Sequence, residues 1–252
     1  EKRIQPGSHV EVQILADSHG KIVHVFERDC SAQRRNQKVV EETPCAKISQ
    51  ETRGALTQSA VQLSKSIGYV NAGTVEYLID QEGNFYFMEM NTRIQVEHPV
   101  TAMVSGVDLI KQQIRMHAGK SFPSFLKKFH LRGHAIECRI NAEDPANNFV
   151  PSPMEITSFH MPGGKGVRID SHAYAGYEIP SNYDSLIGKL IVHSPNRESA
   201  INRMERALEE TIIEGPKTTI PFHQEIMKDD KFRSGEFDTS FLETFDYKKE
   251  GK

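Results

Sequence analysis

The chain has 252 residues and a formal net charge of −3, long enough to bury a sizeable core as one large domain or two small ones. That balance gives no global basic field for nucleic acid or an anionic membrane, and no apolar run approaches the roughly 20 residues a membrane-spanning helix needs. Cys30, Cys45 and Cys138 are odd in number, far apart and without C-x-x-C spacing. They argue against a disulfide framework and a zinc site and point to a reducing, cytoplasmic setting.

In chain order, His9 to Leu15 alternates as a strand, Asp17-Ser18-His19-Gly20 is a turn, and Lys21 to Phe26 returns, which predicts a hairpin. Ser49 caps a helix running to about Ile67, with Ala55, Ala60, Val61, Leu63 and Ile67 available for its buried side. Gly73 to Ile79 and Asn84 to Asn91 read as a second hairpin around Gln81-Glu82-Gly83. Helices follow near Pro99–Val104 and Val107–His117. A looser stretch rich in Phe and Lys, Lys120 to Phe129, marks a candidate boundary, placed at 126/127. Beyond it come strands near His134–Asn141, Ile156–His160, Val167–Ile169 and Lys189–Val192. Arg197 to Ile212 reads as an amphipathic helix with Ile201, Met204, Leu208 and Ile212 on one stripe. The chain opens on Glu1-Lys2 with neither initiator Met nor signal sequence, so it is expected to be part of a longer polypeptide.

The most informative run is Glu89 to Glu97, E-M-N-T-R-I-Q-V-E. Glu89, Asn91, Arg93, Gln95 and Glu97 alternate with Met90, Ile94 and Val96, with Thr92 the exception. In an extended chain those polar groups share one side. A solvated strand face would alternate in the same way. Here Phe85-Tyr86-Phe87-Met88 leads in, so the segment is expected to rise out of a buried sheet, and His98-Pro99 stops ladder pairing.

A turn centred between Glu82 and Gly83 puts Glu76 directly across from Glu89. Facing like charges destabilise a sheet unless something offsets them. The competing reading is a carboxylate pair relaxing into water. With the Asn91 amide added, the set suits Mg²⁺ or Mn²⁺, hard cations that take their remaining ligands from water and phosphates. Reach limits the other end, because eight extended steps would carry Glu97 roughly 26 Å from Glu89. The segment must therefore leave the sheet soon after Asn91 and curl. Arg93 could then pair with an oxyanion, and Glu97 could act as a general base.

EMNTRIQVEHPVT at Glu89–Thr101 resembles the signature of biotin carboxylases, the ATP-grasp component of biotin-dependent carboxylases. HVEVQILAD at His9–Asp17, RDCSAQRRNQKVVEE at Arg28–Glu42 and GTVEYL at Gly73–Leu78 fit the same family in the same order. So do RGHAIECRINAEDP at Arg132–Pro145, FVPSP at Phe149–Pro153 and YDSLIGKL at Tyr183–Leu190. The likeness runs from Glu1 to about Thr244. It implies an α+β chain, with the C-terminal part of an ATP-grasp fold over 1–126 and a biotin carboxylase C-terminal α/β domain over 127–252.

The implied reaction forms carboxyphosphate from ATP and bicarbonate and delivers CO2 to N1′ of biotin on a carrier protein. By resemblance, Glu76 and Glu89 hold the metal that bridges the ATP phosphates, with Asn91 close by. Arg93, Gln95, Lys38 and the Val96 backbone resemble the bicarbonate-binding set, and Glu97 the base that deprotonates it. Arg139 resembles the residue that stabilises the biotin enolate; taken alone, an arginine in a strand would more often pair with Glu137 or Asp184. Glu1, Lys2 and Ile4 resemble the purine-lining hinge, and His9, Gln33, Leu78 and Met88 further nucleotide contacts. Asn36 stands where many relatives carry His, and can exchange hydrogen bonds there without a positive charge.

Arg34 to Lys38 is a small basic patch that weakly suggests nucleic acid. Gly163-Gly164-Lys165-Gly166 lacks the strand-to-helix context of a phosphate loop and reads as a turn between strands. His98 and His134 read as structural, and Lys248 to Lys252 as a frayed tail. The family's N-terminal domain and glycine-rich lid do not precede Glu1, so the chain alone is expected to be weakly active or inactive. No A-M-K-M biotinyl segment is present, which favours a stand-alone subunit serving a separate carrier and carboxyltransferase, most simply in a bacterial acetyl-CoA carboxylase, as a homodimer. The alternatives are the biotin carboxylase of another acyl-CoA or pyruvate carboxylase, a different bicarbonate-activating ATP-grasp ligase, or a non-catalytic folding or dimerisation module.

Overall fold

A computed structural model describes residue 4 and residues 6–123 and 130–247. The expected boundary at 126/127 lies outside the described residues. On either side of it, eight strands form one antiparallel sheet: β1 (Ser8–Ala16), β2 (Ile22–Arg34), β3 (Gln37–Thr43), β4 (Asn71–Ile79), β5 (Phe85–Asn91), β6 (His134–Asn141), β10 (Val167–Ser171) and β11 (Leu186–Ser194). Their order is β10-β11-β6-β3-β2-β1-β4-β5. Residues 8–91 and 134–194 therefore share one sheet, joined where β3 pairs with β6 through Val40↔Cys138 to Thr43↔Ala135. Shorter strands β7 (Glu143–Asp144) and β8 (Val150–Pro151) pair with each other, and β9 (Ser158–His160) pairs with β12 (Ile212–Glu214).

The first hairpin is present, but its second strand runs past Phe26 to Arg34. The alternation breaks at Phe26 because the chain bulges there: Val12 pairs with Glu27 and Ile14 with His24, and Phe26 takes a φ of 61°. Strand β3 was not expected. Its connection to β2 is the basic patch itself, with Arg35 at φ 50° and Asn36 at φ 63°, a two-residue loop of the twist that hairpins favour. Asparagine tolerates that left-handed backbone better than most residues, which accounts for Asn36 on backbone grounds alone.

Helix α1 (Gln50–Ser66) starts where expected, with the Ser49 hydroxyl accepting from Thr52 N. Its buried stripe is Leu56, Thr57, Ala60 and Ser64; Ala55 is exposed, and Ile67 is 57% exposed just past the helix. Thr57 and Ser64 can be buried because their hydroxyls donate to Arg53 O and Ala60 O in the preceding turn. Helices α2 (His98–Ser105) and α3 (Leu109–His117) match expectation, the latter capped by Asp108. Helix α4 (Arg197–Glu210) buries Ile201, Met204 and Leu208 as expected. Ile212 does not continue the stripe. It sits in β12, paired with His160, because Thr211 turns the chain extended ahead of two β-branched residues. Helices α5 (Ile220–Lys228) and α6 (Asp230–Ser234) close the fold.

Strand β5 is an edge, so the lead-in to the polar run is less buried than expected, with Phe87 57% and Met88 44% exposed. His134 is structural: it hydrogen-bonds Glu42 at 2.8 Å, and Arg197 Nε donates to the same carboxylate at 2.8 Å, tying β3, β6 and α4 together. Burial would raise the Glu42 carboxyl, but the His134 hydrogen bond and the Arg197 charge outweigh it and hold it at about 2.

Entry into β6 depends on Gly133, which has φ +71° and would place a Cβ 2.1 Å from Ser194 O. Gly133→Ala is therefore expected to destabilise the fold by about 3 kcal/mol, combining a left-handed penalty with a backbone clash. Urea denaturation checks this; an unchanged midpoint would show that the strand entry relaxes freely.

Candidate active site

Alternation on the central strands builds a polar face. His9, Glu11 and Gln13 point the same way along β1. Their cross-strand neighbours include Arg28 on β2, opposite Glu11, and Glu76 on β4, also opposite Glu11. Glu76 in turn faces Glu89 on β5. The hairpin reaches that last pairing through a bulge. Near the turn the register is Ile79↔Phe85 to Tyr77↔Phe87, centred on Glu82, and it shifts by one residue before Glu76↔Glu89. Three carboxylates consequently stand in a row across three adjacent strands.

Cations from elsewhere offset them. Arg28 is fully buried; its Nε donates to Glu11 Oε1 at 2.5 Å, and its other nitrogens donate to Gln13, Thr74, Gln95 and Thr101. Lys38 Nζ lies 2.6 Å from Glu11 Oε2, 3.2 Å from Glu76 Oε1 and 2.6 Å from Glu97 Oε1. Burial would raise the Glu11 and Glu76 carboxyls. For Glu11 the charges of Arg28 and Lys38 prevail, and for Glu76 the His9 hydrogen bond and the Lys38 charge do, so both stand at about 2. The Lys38 ammonium is stabilised in the opposite sense: burial works against it, and its anionic neighbours raise it overall.

The strand ends at Asn91, and residues 92–97 curl back over the sheet, as reach required. The curl buries Gln95 and Glu97 and leaves Arg93 exposed. Gln95 Nε2 donates to Glu76 Oε1 at 2.6 Å while its oxygen accepts from Arg28. The Val96 carbonyl accepts from Lys189 Nζ at 2.6 Å. Arg139, on β6, donates from Nε to Glu41 Oε1 at 2.6 Å and from Nη2 to Glu97 Oε2 at 3.1 Å. Its partners are thus neither Glu137 nor Asp184. Glu41 lies on the neighbouring strand and Glu97 on the curl above, whereas Glu137 stands two residues along the same strand. Burial pushes Glu41 up to about 7 despite Arg139, and Glu41 Oε2 has no hydrogen-bond partner among the described residues.

An open cavity of about 850 Å³ lies against this cluster. Its lining includes the expected metal set Glu76, Glu89 and Asn91, together with Lys38, Arg93, Gln95, Val96, Glu97 and Arg139. Of the expected nucleotide contacts it includes His9, Gln33, Asn36 and Met88. His9 is held between Glu76 Oε2 at 2.6 Å and Gln33 Nε2 at 2.5 Å. Leu78 and Ile4 are not among the lining residues; Leu78 pairs with His9 and Tyr86 inside the sheet, and Ile4 packs beside Gly7. Glu1 and Lys2 lie outside the described residues.

Asn91 Nδ2 donates to Glu76 Oε1 at 2.8 Å and Glu89 Oε1 at 2.9 Å, so the three side chains converge. Two carboxylates and a carboxamide at the cavity wall are hard oxygen donors and fit Mg²⁺ or Mn²⁺. Ligand atoms of His9, Glu11 and Glu76 also lie within 4.8 Å of one another, but Glu11 is already neutralised by Arg28 and Lys38. Sequence reasoning missed Glu11, Arg28, Glu41 and Lys189. Glu11 was accessible from the HVEVQ alternation, which places it with His9 and Gln13. The other three needed the register of β2, β3 and β11.

Residues 1–125 match the family model described as the carbamoyl-phosphate synthase L chain, ATP binding domain, and residues 137–244 match the biotin carboxylase C-terminal domain. The biotin carboxylase of a Nostoc species is 56% identical over 243 residues, which is 96% of this chain and 54% of that protein. A pyruvate carboxylase subunit of Methanothermobacter thermautotrophicus is 52% identical over 245 residues, 97% of this chain and 50% of that one. A Campylobacter jejuni biotin carboxylase solved as a β-γ-ATP complex superposes with TM-score 0.94 at 48% identity, over 97% of this chain and 55% of that one. The biotin carboxylase domain of Hydrogenobacter thermophilus 2-oxoglutarate carboxylase, a dimer with MgADP, ADP and bicarbonate, gives 0.95 at 49% identity, over 99% and 56%. The chain spans about half the length of these relatives. With an ATP-grasp portion, a biotin carboxylase C-terminal domain and this identity over nearly its whole length, the chain belongs to the biotin carboxylase family.

Proposed function

We propose that the protein carries the site for ATP- and bicarbonate-dependent carboxylation of biotin on a carrier protein, an ATP-dependent C–N ligation through carboxyphosphate. The observation that carries this reading is the Glu97 carboxylate, buried at the cavity wall with Lys38 at 2.6 Å on one oxygen and Arg139 at 3.1 Å on the other. A base pinned between two fixed cations is oriented for proton abstraction without reorganisation. Unlike Arg28 and Arg139, Arg93 has no carboxylate partner among the described residues, which leaves its fork available for bicarbonate. Glu97 takes the bicarbonate proton, and the freed carbonate oxygen attacks the γ-phosphorus of ATP, releasing ADP. Carboxyphosphate then breaks to CO2 and phosphate, the released phosphate takes the N1′ proton of biotin, and Arg139 stabilises the resulting enolate, whose N1′ captures the CO2. A divalent cation held by Glu76 and Glu89, with Asn91 beside them, would supply charge neutralisation at the phosphates.

His9, Gln33, Asn36 and Met88 serve the nucleotide in this reading, together with Glu1, Lys2, Ile4 and Leu78 by resemblance. The domain division at 126/127, the homodimer, the cytoplasmic setting and the carboxyltransferase partner belong to the same proposal. Acetyl-CoA carboxylase of fatty acid synthesis is its simplest setting, supported by relatives named simply biotin carboxylase. The pyruvate carboxylase relative favours a second reading with a different final acceptor. Because the chain spans about half of its relatives, it is expected to be weakly active or inactive by itself.

ADP release with Mg²⁺, ATP and bicarbonate is expected to rise on adding free biotin when the chain is joined to the N-terminal half of the Nostoc relative, and to stay low for the chain alone. Bicarbonate-dependent turnover indifferent to biotin would reassign the acceptor. Glu97→Gln should leave MgATP affinity within about twofold and slow bicarbonate-dependent ADP formation at least about 100-fold, since it removes a base and not a metal ligand. Glu89→Gln should instead weaken the Mg²⁺-dependent part of nucleotide binding; an equal loss of ATP affinity in both variants would refute the division of roles.

Lys38→Met removes the cation shared by Glu11, Glu76 and Glu97 and is expected to destabilise the fold by about 3 kcal/mol at pH 7. Glu11 and Glu76 stay ionised down to about 2 partly through Lys38, so without it they take up protons at higher pH. The deficit should therefore shrink as the pH falls towards 4. Thermal melts across that range check the sign, and a pH-independent deficit would contradict it.

A further inference from the structure

The cavity wall contains two consecutive peptide units on either side of Val96, and each has its carbonyl tied from outside the cavity. Gln95 O accepts from His98 Nδ1 at 2.8 Å, with the His98 backbone N–H also on it at 3.3 Å. Val96 O accepts from Lys189 Nζ at 2.6 Å. A trans peptide points its N–H opposite to its C=O. Anchoring Gln95 O on His98 therefore turns the Val96 N–H away from His98, and anchoring Val96 O on Lys189 turns the Glu97 N–H away from Lys189. Neither N–H donates to a protein group among the described residues, and both residues line the cavity. Two adjacent unpaired amide donors on a curled backbone make an anion-binding concavity.

We propose that Lys189 and His98 are positioning residues that lock these two peptides and so shape the anion cradle beside Glu97. The proposal rests on the reading that bicarbonate occupies this cavity. Lys189 suits the task because β11 places it directly across from Arg139, with its side chain only 12% exposed and Asp170 3.7 Å away on the far side. The chain thus positions the Val96 peptide and the Arg139 guanidinium from neighbouring strands of one sheet. His98 has no carboxylate partner among the described residues, and its acceptor is a carbonyl, so Nδ1 carries the proton. Burial, reinforced by the nearby charges of Lys189 and Arg28, pushes the imidazole down to about 4 despite the hydrogen bond to Gln95. It is neutral at pH 7 and acts through hydrogen-bond geometry, with no charge of its own. His98, which reads from sequence as merely structural, thereby gains a role one step removed from the chemistry.

The test combines a crystal structure with kinetics of the chain joined to the N-terminal half of the Nostoc relative. In Lys189→Met the Val96–Glu97 peptide is expected to rotate, and in His98→Leu the Gln95–Val96 peptide. Each variant should raise the bicarbonate KM about tenfold, the scale of one lost hydrogen bond, while the ATP KM stays within about twofold. His98→Asn, whose amide can replace the Nδ1–H, and Lys189→Arg should recover most of the loss. Unmoved peptides, or a bicarbonate KM that does not change, would overturn the proposal. Equal rises in both KM values would also overturn it, because a general disturbance of the site and not a positioned cradle would then be the cause. Absence of bicarbonate-dependent ATP cleavage in the unaltered protein would instead bring down the functional reading, and this inference with it.

Discussion

Lys38 is the interaction on which the site depends. Its ammonium touches carboxylates from β1, β4 and the curl after β5, and it is mostly enclosed. Without a cation there, Glu11, Glu76 and Glu97 would repel one another in a low-dielectric setting, where an unpaired buried charge is very costly. With it, and with Arg28 and Arg139 flanking, the site holds a dense array of fixed charge. That is an arrangement suited to stabilising negative charge that develops during a reaction.

The array requires the sheet to be continuous. Arg139 comes from β6 and Lys189 from β11, while Glu76 and Glu89 come from β4 and β5 at the opposite edge. The β3–β6 pairing brings these groups onto one surface, and the His134–Glu42–Arg197 clasp reinforces that seam. Helix α2 then closes over the same strands, starting immediately after Glu97, so the end of the polar run and the start of the covering helix are one feature.

Much of the site was legible because its ingredients are local. The alternation from Glu89 to Glu97 and the distance limit together required a curl after Asn91, and the strand does end there. The Glu76–Glu89 pairing was anticipated correctly, although the protein reaches it with a bulge and a turn centred one half-step earlier. The misses have equally physical causes. Strand β3 was hidden by a basic turn that resembles a nucleic-acid patch; on α1, Ala60, Val61 and Leu63 face the core as expected, but Thr57 and Ser64 were missed because they hide their hydroxyls in the helix backbone. Ile212 followed the helical stripe in sequence but left the helix at Thr211.

By itself the sequence determined the strands and helices that carry period and caps, the polar run, the carboxylate pair of the second hairpin and the family. Only the tertiary structure decided which cation meets which anion. Lys38 reaches partners 27, 38 and 59 residues away, and Arg139 one 98 residues away. Spacing along the chain specifies side-chain direction only within an element. Pairings across such distances are set by sheet order and register, which follow from how the whole core packs.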